Sequence, residues 1–291
     1  MNLSQNAIKD FNPLNDYYFK TLMGKPERKD LTLNFLNSLY GDETQRFRDI
    51  VFLDKDFEPT TASGKLSRLD IRAVLDTGTQ IDIEVQICRE KYMSERSLYY
   101  WSRMYSNQLN KGNKYKSLKP AISIIILDFD HLTNEANWHN SCHITIDASK
   151  RILTNHLEMH FLEIPKIKIS DVKKFKKLDA WGAYLTGKRS QKDIEVLMMS
   201  NPAIKKALEY ENYFTNDDVL RREYEKREDA IRDENSRLGN AIDEGIEIGL
   251  EKAKRLGIIN GLKSNIDVNI ISAITGASID TIEQIKKSMA K

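Results

Sequence analysis

The stretch RLDIRAVLDTGTQIDIEVQI, residues 68–87, decides the reading of this chain. Its first half alternates Leu69, Ile71, Ala73 and Leu75 with Arg68, Asp70, Arg72 and Val74. Its second half sets Ile81, Ile83, Val85 and Ile87 on one face and Asp82, Glu84 and Gln86 on the other. Period-two alternation marks a β-strand, and two such runs around Asp76-Thr77-Gly78 predict a β-hairpin. A three-residue loop with glycine at the left-handed position pairs Leu75 with Thr79, Ala73 with Ile81, Ile71 with Ile83 and Leu69 with Val85, joining both apolar faces. A two-residue loop would set apolar residues opposite polar ones along the whole hairpin, because one residue of slip inverts a face. In the favoured register Asp70 stands opposite Glu84, so two carboxylates are expected as neighbours.

That juxtaposition has a chemical meaning. Two converging carboxylates, Asp70 and Glu84, plus the backbone carbonyl of Val85, make a set of hard oxygen donors suited to Mg²⁺ or Mn²⁺. A cation held there polarises a phosphodiester and activates a water, the usual division of labour in phosphoryl hydrolysis. Gln86 lies two residues on along the same face, where it is expected to orient the water or contact the phosphate, and Asp82 shares that face. The competing reading is the wet side of an antiparallel sheet. Clustering favours the cation, because Asp70, Asp82 and Glu84 repel one another unless Arg68 and Arg72 neutralise them.

Outward from the hairpin, residues 14–40 read as helix broken near Gly24 and Pro26, and Gly41 marks the stop. Ile50 to Phe57 reads as a strand closed by Pro59. After the hairpin comes a helix over 93–110 (Leu98, Trp101, Met104, Tyr105, Leu109), ended by Gly112. Ala121 to Phe129 is apolar on both faces, as a central buried strand should be. Ile144 to Ile146 and Leu157 to Ile164 are expected as further strands, and from Asp171 onward the chain reads as helical. Residues 217–237 are mostly charged and of mixed sign, which predicts a solvated helix. Ala241, Gly245, Gly249, Ala253, Gly257 and Gly261 then recur every four residues, letting helices approach closely. The tail from Val268 to Ile285 reads as a pair of short helices about Thr275-Gly276-Ala277-Ser278. The domain reading is therefore an α/β portion over 1–190 and a helical C-terminal region over 191–291, expected to dimerise.

Composition bounds the function classes. The chain has 291 residues, 45 Lys+Arg against 43 Asp+Glu, and 40% apolar residues, enough to bury a core and too ordinary for global disorder. A net charge of +2 excludes a histone-like polycation but allows a local basic face. Residues 163–192 supply one, with nine basic residues against three acidic. Two cysteines, Cys88 and Cys142, read as reduced cytosolic thiols. The N-terminus has no apolar signal segment, and the longest apolar run, Ala121 to Leu127, is far short of a membrane span, so a cytoplasmic protein without a membrane partner is expected.

The ordered set Pro13-Leu-Asn-Asp-Tyr-Tyr-Phe-Lys20, Arg68-Leu-Asp-Ile71, Ile83-Glu-Val-Gln86, and Arg96 to Gly112 followed by Tyr115-Lys-Ser-Leu-Lys-Pro-Ala-Ile122 resembles the Rpn family. These are recombination-promoting nucleases, also described as transposases, within the PD-(D/E)XK nuclease superfamily. The likeness covers about residues 10–190 in element order, and the glycine-stepped tail is also typical. It implies a restriction-endonuclease-like α/β fold, a mixed sheet flanked by helices with an α-helical C-terminal extension. It also implies a Mg²⁺- or Mn²⁺-dependent DNA endonuclease of a bacterial, nucleoid-associated kind, linked to recombination, mobile elements or phage. Asp70 and Glu84 would be its metal ligands, with Gln86 in the place of the superfamily's lysine. Two residues depart from the pattern. Leu69 stands where the motif has its proline, and Gln86 removes a cation from the site, so that charge would come from Lys20, Arg96 or Arg103. An early-helix acid, here Asp16, often completes such sites.

Other features have plainer readings. His139 and His143, and His156 and His160, stand four apart, a zinc spacing on a helix, but their surroundings read as strand or loop, so structural or surface histidines are expected. Arg96 and Arg103 are one heptad apart and are placed to reach DNA phosphates, or simply form a solvated face. Lys173, Lys174, Lys176 and Lys177 are the candidate nucleic-acid contact. Two functional readings remain: a metal-dependent endonuclease acting as a homodimer through its C-terminal helices, and a catalytically decayed DNA- or partner-binding module of the same fold.

Overall fold

A computed structural model describes residues 11–41, 45–53, 56–57, 67–68, 71–168 and 176–289. The hairpin forms as expected. Strand β4 (Ile71–Leu75) pairs antiparallel with β5 (Gln80–Gln86), Ile71 opposite Ile83 and Ala73 opposite Ile81. At the turn the Leu75 N–H donates to Thr79 O (2.9 Å) and the Gly78 N–H to Leu75 O (2.8 Å). Gly78 sits at φ +79°, a conformation that costs a residue with a Cβ but not glycine. Leu69 and Asp70, the rest of the expected pairing, lie outside the described residues.

The hairpin is the middle of a six-stranded mixed sheet. Its order is β1 (Ile50–Leu53), β4, β5, β6 (Ala121–Leu127), β8 (Leu157–Glu163) and β7 (His139–Cys142). Strands β5, β6 and β8 run parallel, while β1 and β7 add antiparallel edges. Every residue of β6 is buried, which explains why its sequence does not alternate. Helices cover both faces. On one, α1 (Asp16–Met23), α2 (Lys29–Ser38), α4 (Lys177–Leu185), α5 (Gln191–Ser200) and α6 (Pro202–Asn216) contribute to a core with Ile81, Ile83, Ile122, Ile124 and Ile126. On the other, α3 (Met93–Ser106) packs Met93 and Trp101 with Ile125, Leu127, Met159 and Phe161. The break between α1 and α2 falls at Gly24 and the turn Pro26–Arg28.

Three expectations are corrected. Ser67–Arg68 (β3) leaves the hairpin and pairs instead with Asp56–Phe57 (β2) in a separate two-stranded sheet. The strand expected over 144–146 is absent. Thr145 makes only an isolated bridge to Ile152, and Ile144 and Ile146 are exposed. The open edge of β8 is taken by residues 139–142 instead, so the later residues find no partner strand. Finally, the polar face of β5 is not wet, because α3 covers it and buries Asp82 and Glu84.

The chain divides into two compact units, Met1–Glu228 and Asp229–Lys291. The first extends past residue 190, since Leu197, Ile204, Ala207, Phe214 and Tyr224 belong to its core. In the second, the end of α7 (Asp218–Lys263) packs with α8 (Val268–Thr275) and α9 (Ile279–Met289) around Ile258, Ile271, Ile282 and Ile285. No helix among the described residues is long and apolar enough to cross a membrane.

Candidate functional site

Alternation along β5 sends Ile81 and Ile83 into the main core and turns Asp82, Glu84 and Gln86 toward α3. There Glu84 is 4% exposed. Arg96 on α3 donates to its Oε1 from Nε (3.2 Å) and Nη2 (2.9 Å). Desolvation alone would lower the Arg96 pKa, but the charge and hydrogen bonds of Glu84 more than reverse this and raise it. Arg103, seven residues on, is also buried. Of the pair expected to reach phosphates or form a solvated face, Arg103 is buried and Arg96, about a third exposed, turns its guanidinium onto Glu84.

Asp82 is 3% exposed and accepts from Ser123 Oγ at 2.5 Å. Burial pushes its carboxyl up to about 7. The Ser123 bond opposes that rise, and the charge of Glu84 adds to it. Arg72 stands opposite Asp82 on β4, and its own pKa falls with burial. Gln86 is half-buried at the carboxyl end of β5, where its Nε2 donates to Cys88 O (3.2 Å) and its carbonyl accepts from the Asp128 N–H (3.1 Å).

Asp70 lies outside the described residues, and among the described residues no three His, Cys, Asp or Glu side chains gather as a metal-holding group. The donors that are described, the buried Glu84 carboxylate beside the Val85 main-chain carbonyl, are hard oxygens of the kind Mg²⁺ takes. Burial first, and then the charge of Glu84, holds the Asp82 carboxyl up, while Arg96 already offsets part of the negative charge of Glu84. The residues present thus fit a divalent cation in chemistry.

The remaining expected residues are distributed more widely. Asp16 opens α1 and pairs with Lys20 (3.3 Å) and Arg227 (3.9 Å). Lys173 and Lys174 lie outside the described residues; Lys176 is exposed, and Lys177 is half-buried at the start of α4. Lys166, from the same basic run, is structural. It donates to Leu132 O, Glu135 O and the fully buried Glu163, each at 2.8 Å.

A second polar cluster was not foreseen. His139 Nε2 meets His160 Nδ1 at 2.8 Å, and His160 Nε2 meets Glu158 Oε1 at 3.0 Å, in a cleft of about 430 Å³ also lined by Tyr40, Arg46 and His143. Burial would raise Glu158, but the hydrogen bond and charge of His160, with Tyr40 and Arg46, hold it at about 2. Burial and then the neighbouring His160 hold His139 down at about 4.

A family model described as PD-(D/E)XK nuclease family transposase matches residues 13–241. Comparison with curated proteins and with solved structures gave no significant match.

Proposed function

The chain belongs to the PD-(D/E)XK nuclease family transposases, and from that membership and the β4–β5 register we propose that it is a divalent-metal-dependent DNA endonuclease. The supporting observation is the pairing of Ile71 with Ile83, because the residue before Ile71 in the chain is Asp70 and the residue after Ile83 is Glu84. In this reading Asp70, Glu84 and the Val85 carbonyl hold Mg²⁺ or Mn²⁺. The bound cation supplies Lewis-acid polarisation of the phosphodiester and a lowered pKa for the attacking water. The chain's own residues do the rest. Arg96 holds the Glu84 carboxylate in one orientation through Oε1, and Ser123 fixes the buried Asp82 behind it. Gln86, anchored through Nε2, presents a neutral amide at the strand end to orient water or phosphate. Gln86 being neutral, Arg96 supplies positive charge beside Glu84, and a moderate rather than fast hydrolase is expected.

We further read the protein as a homodimer joined through its C-terminal helices, which suits cutting two strands. Support comes from α7, where Leu238, Ile242, Ile246, Leu250 and Leu256 are exposed on one long helix. One observation favours the alternative, a decayed DNA-binding module: the Arg96 guanidinium already neutralises Glu84. The discriminating experiment incubates supercoiled plasmid with the protein in Mg²⁺, Mn²⁺ or EDTA and measures duplex retention in parallel. Metal-dependent nicking supports the endonuclease. Retention without nicking in either metal supports the module.

A further inference from the structure

The turn between α4 and α5, residues 186–190, walls a cleft of about 770 Å³ in the first unit. Its other walls include Asp128, which follows β6, and Ile164 and Pro165, which follow β8. It therefore opens at the carboxyl ends of two parallel strands, where α/β sheets present their ligands. Gly187 makes the turn possible. It sits at φ +67°, and a Cβ there would stand 2.7 Å from Phe11 O, so only glycine lets the turn press against the N-terminal segment. That close approach brings Lys188 and Arg189 to the cleft wall.

Arg189 is the unusual member. Its side chain is only 5% exposed. Nη2 donates to Glu211 Oε2 (3.1 Å) and Oε1 (3.3 Å), and the guanidinium lies 4.6 Å over the Tyr184 ring. Nη1 is buried and has no hydrogen-bond partner. Buried donors in native proteins are nearly always satisfied, and both contacts to Glu211 come from Nη2, not Nη1. What Nη1 lacks is an acceptor, and Arg189 is among the residues that line the cleft. Lys188, exposed on the same wall, adds a second cation. Asp128 also lines the cleft, where burial pushes its carboxyl up and the charge of Lys188 pulls it down.

We propose that this cleft is a phosphate-binding subsite, with a phosphate oxygen accepting from Arg189 Nη1 and a second from Lys188 Nζ. A guanidinium and an ammonium side by side suit a tetrahedral oxyanion, and charge-assisted bonds of this kind are the strong ones. The phosphate comes either from a nucleic-acid backbone or from a free phosphate or phosphomonoester. The backbone source is natural here, because Asp128 is hydrogen-bonded to the Gln86 carbonyl at the end of β5. The subsite stands whether or not the chain cleaves DNA.

The test titrates inorganic phosphate into the full chain in EDTA, by calorimetry and by ³¹P line width, against chloride at matched ionic strength. Two variants are compared. Lys188→Glu changes an exposed residue, and Arg189→Lys keeps a charge opposite Glu211 while removing the second nitrogen. Saturable phosphate binding, weakened roughly tenfold or more by either variant, is the expected result. No binding to the full chain, or an unchanged affinity in a folded Lys188→Glu variant, overturns the proposal. A second arm measures affinity for a short duplex as a function of salt. If Lys188→Glu weakens it and lowers the salt slope by about one, the source is a nucleic-acid backbone. If duplex affinity is unchanged while phosphate binding is lost, the source is a free phosphate.

Discussion

Replacing Glu158 by Gln should weaken the first unit at neutral pH and remove part of its sensitivity to acid. Glu158 is held at about 2, against 4.5 for an ordinary glutamate, a difference worth at most about 3.4 kcal/mol. Its side chain is 9% exposed, but its partner Arg46 is 36% exposed and screened by water, so about 2 kcal/mol is the realistic figure. A carboxyl with a depressed pKa stabilises the fold above its unfolded value, so this contribution is complete above pH 4.5 and is lost as pH falls toward 2. His139 acts in the same direction. Held at about 4 instead of 6.5, it favours the neutral ring, so its contribution is full above pH 6.5 and disappears as pH falls to about 4. Acid should therefore loosen the unit in two overlapping steps. Urea unfolding at pH 7.5, 5 and 4 measures this. For a unit this size, 2 kcal/mol is a midpoint shift of roughly 1 M. Glu158→Gln should lower the midpoint at pH 7.5 and flatten the lower step, while His139→Gln should flatten the upper one. The two are in one hydrogen-bonded chain, so the double variant should cost less than the sum. An unchanged midpoint at pH 7.5 in Glu158→Gln, with the acid profile intact, would refute the reasoning.

Other perturbations test the packing around the candidate site. Ser123→Ala removes the hydroxyl on the buried Asp82 and should cost about 1–3 kcal/mol at pH 8, with less loss near pH 5, seen by denaturant unfolding. Lys166→Met removes the counter-ion of the fully buried Glu163 carboxylate, leaving it the His131 and Leu132 N–H donors, and should cost about 3 kcal/mol, lowering Tm by several degrees. Gly187→Ala places a Cβ against Phe11 O at a positive φ and should cost at least about 1–3 kcal/mol, read from the same melting curves.

The hairpin was legible because period-two alternation and a glycine turn leave one register that joins the apolar faces, and the pairing of Ala73 with Ile81 is that register. Glu84 was legible for the same reason. Its burial was not, because the covering comes from α3, whose Arg96 is twelve residues further on and looks from sequence like a solvated arginine. Charge runs mislead in the same way: Lys166 and Arg189 sit in the basic segment, yet the fold buries both against carboxylates. The histidine cluster was invisible for a different reason. His139 and His160 meet only because β7 pairs with β8, so that Ser141 faces His160, and spacing along one strand says nothing about a neighbour twenty residues away. The strand expected at 144–146 failed by propensity alone, since β-branched residues need a partner edge and that of β8 was already occupied.

The central claim is that Glu84, with Asp70, holds the cation that supports phosphodiester cleavage. The most direct test is plasmid nicking in Mg²⁺ by the full chain, by Asp70→Asn and by Glu84→Gln, each first shown to melt within a few degrees of the parent. The account predicts nicking by the parent, abolished by EDTA and reduced at least about 100-fold in each variant. Equal nicking by the parent and the Glu84→Gln variant would contradict it.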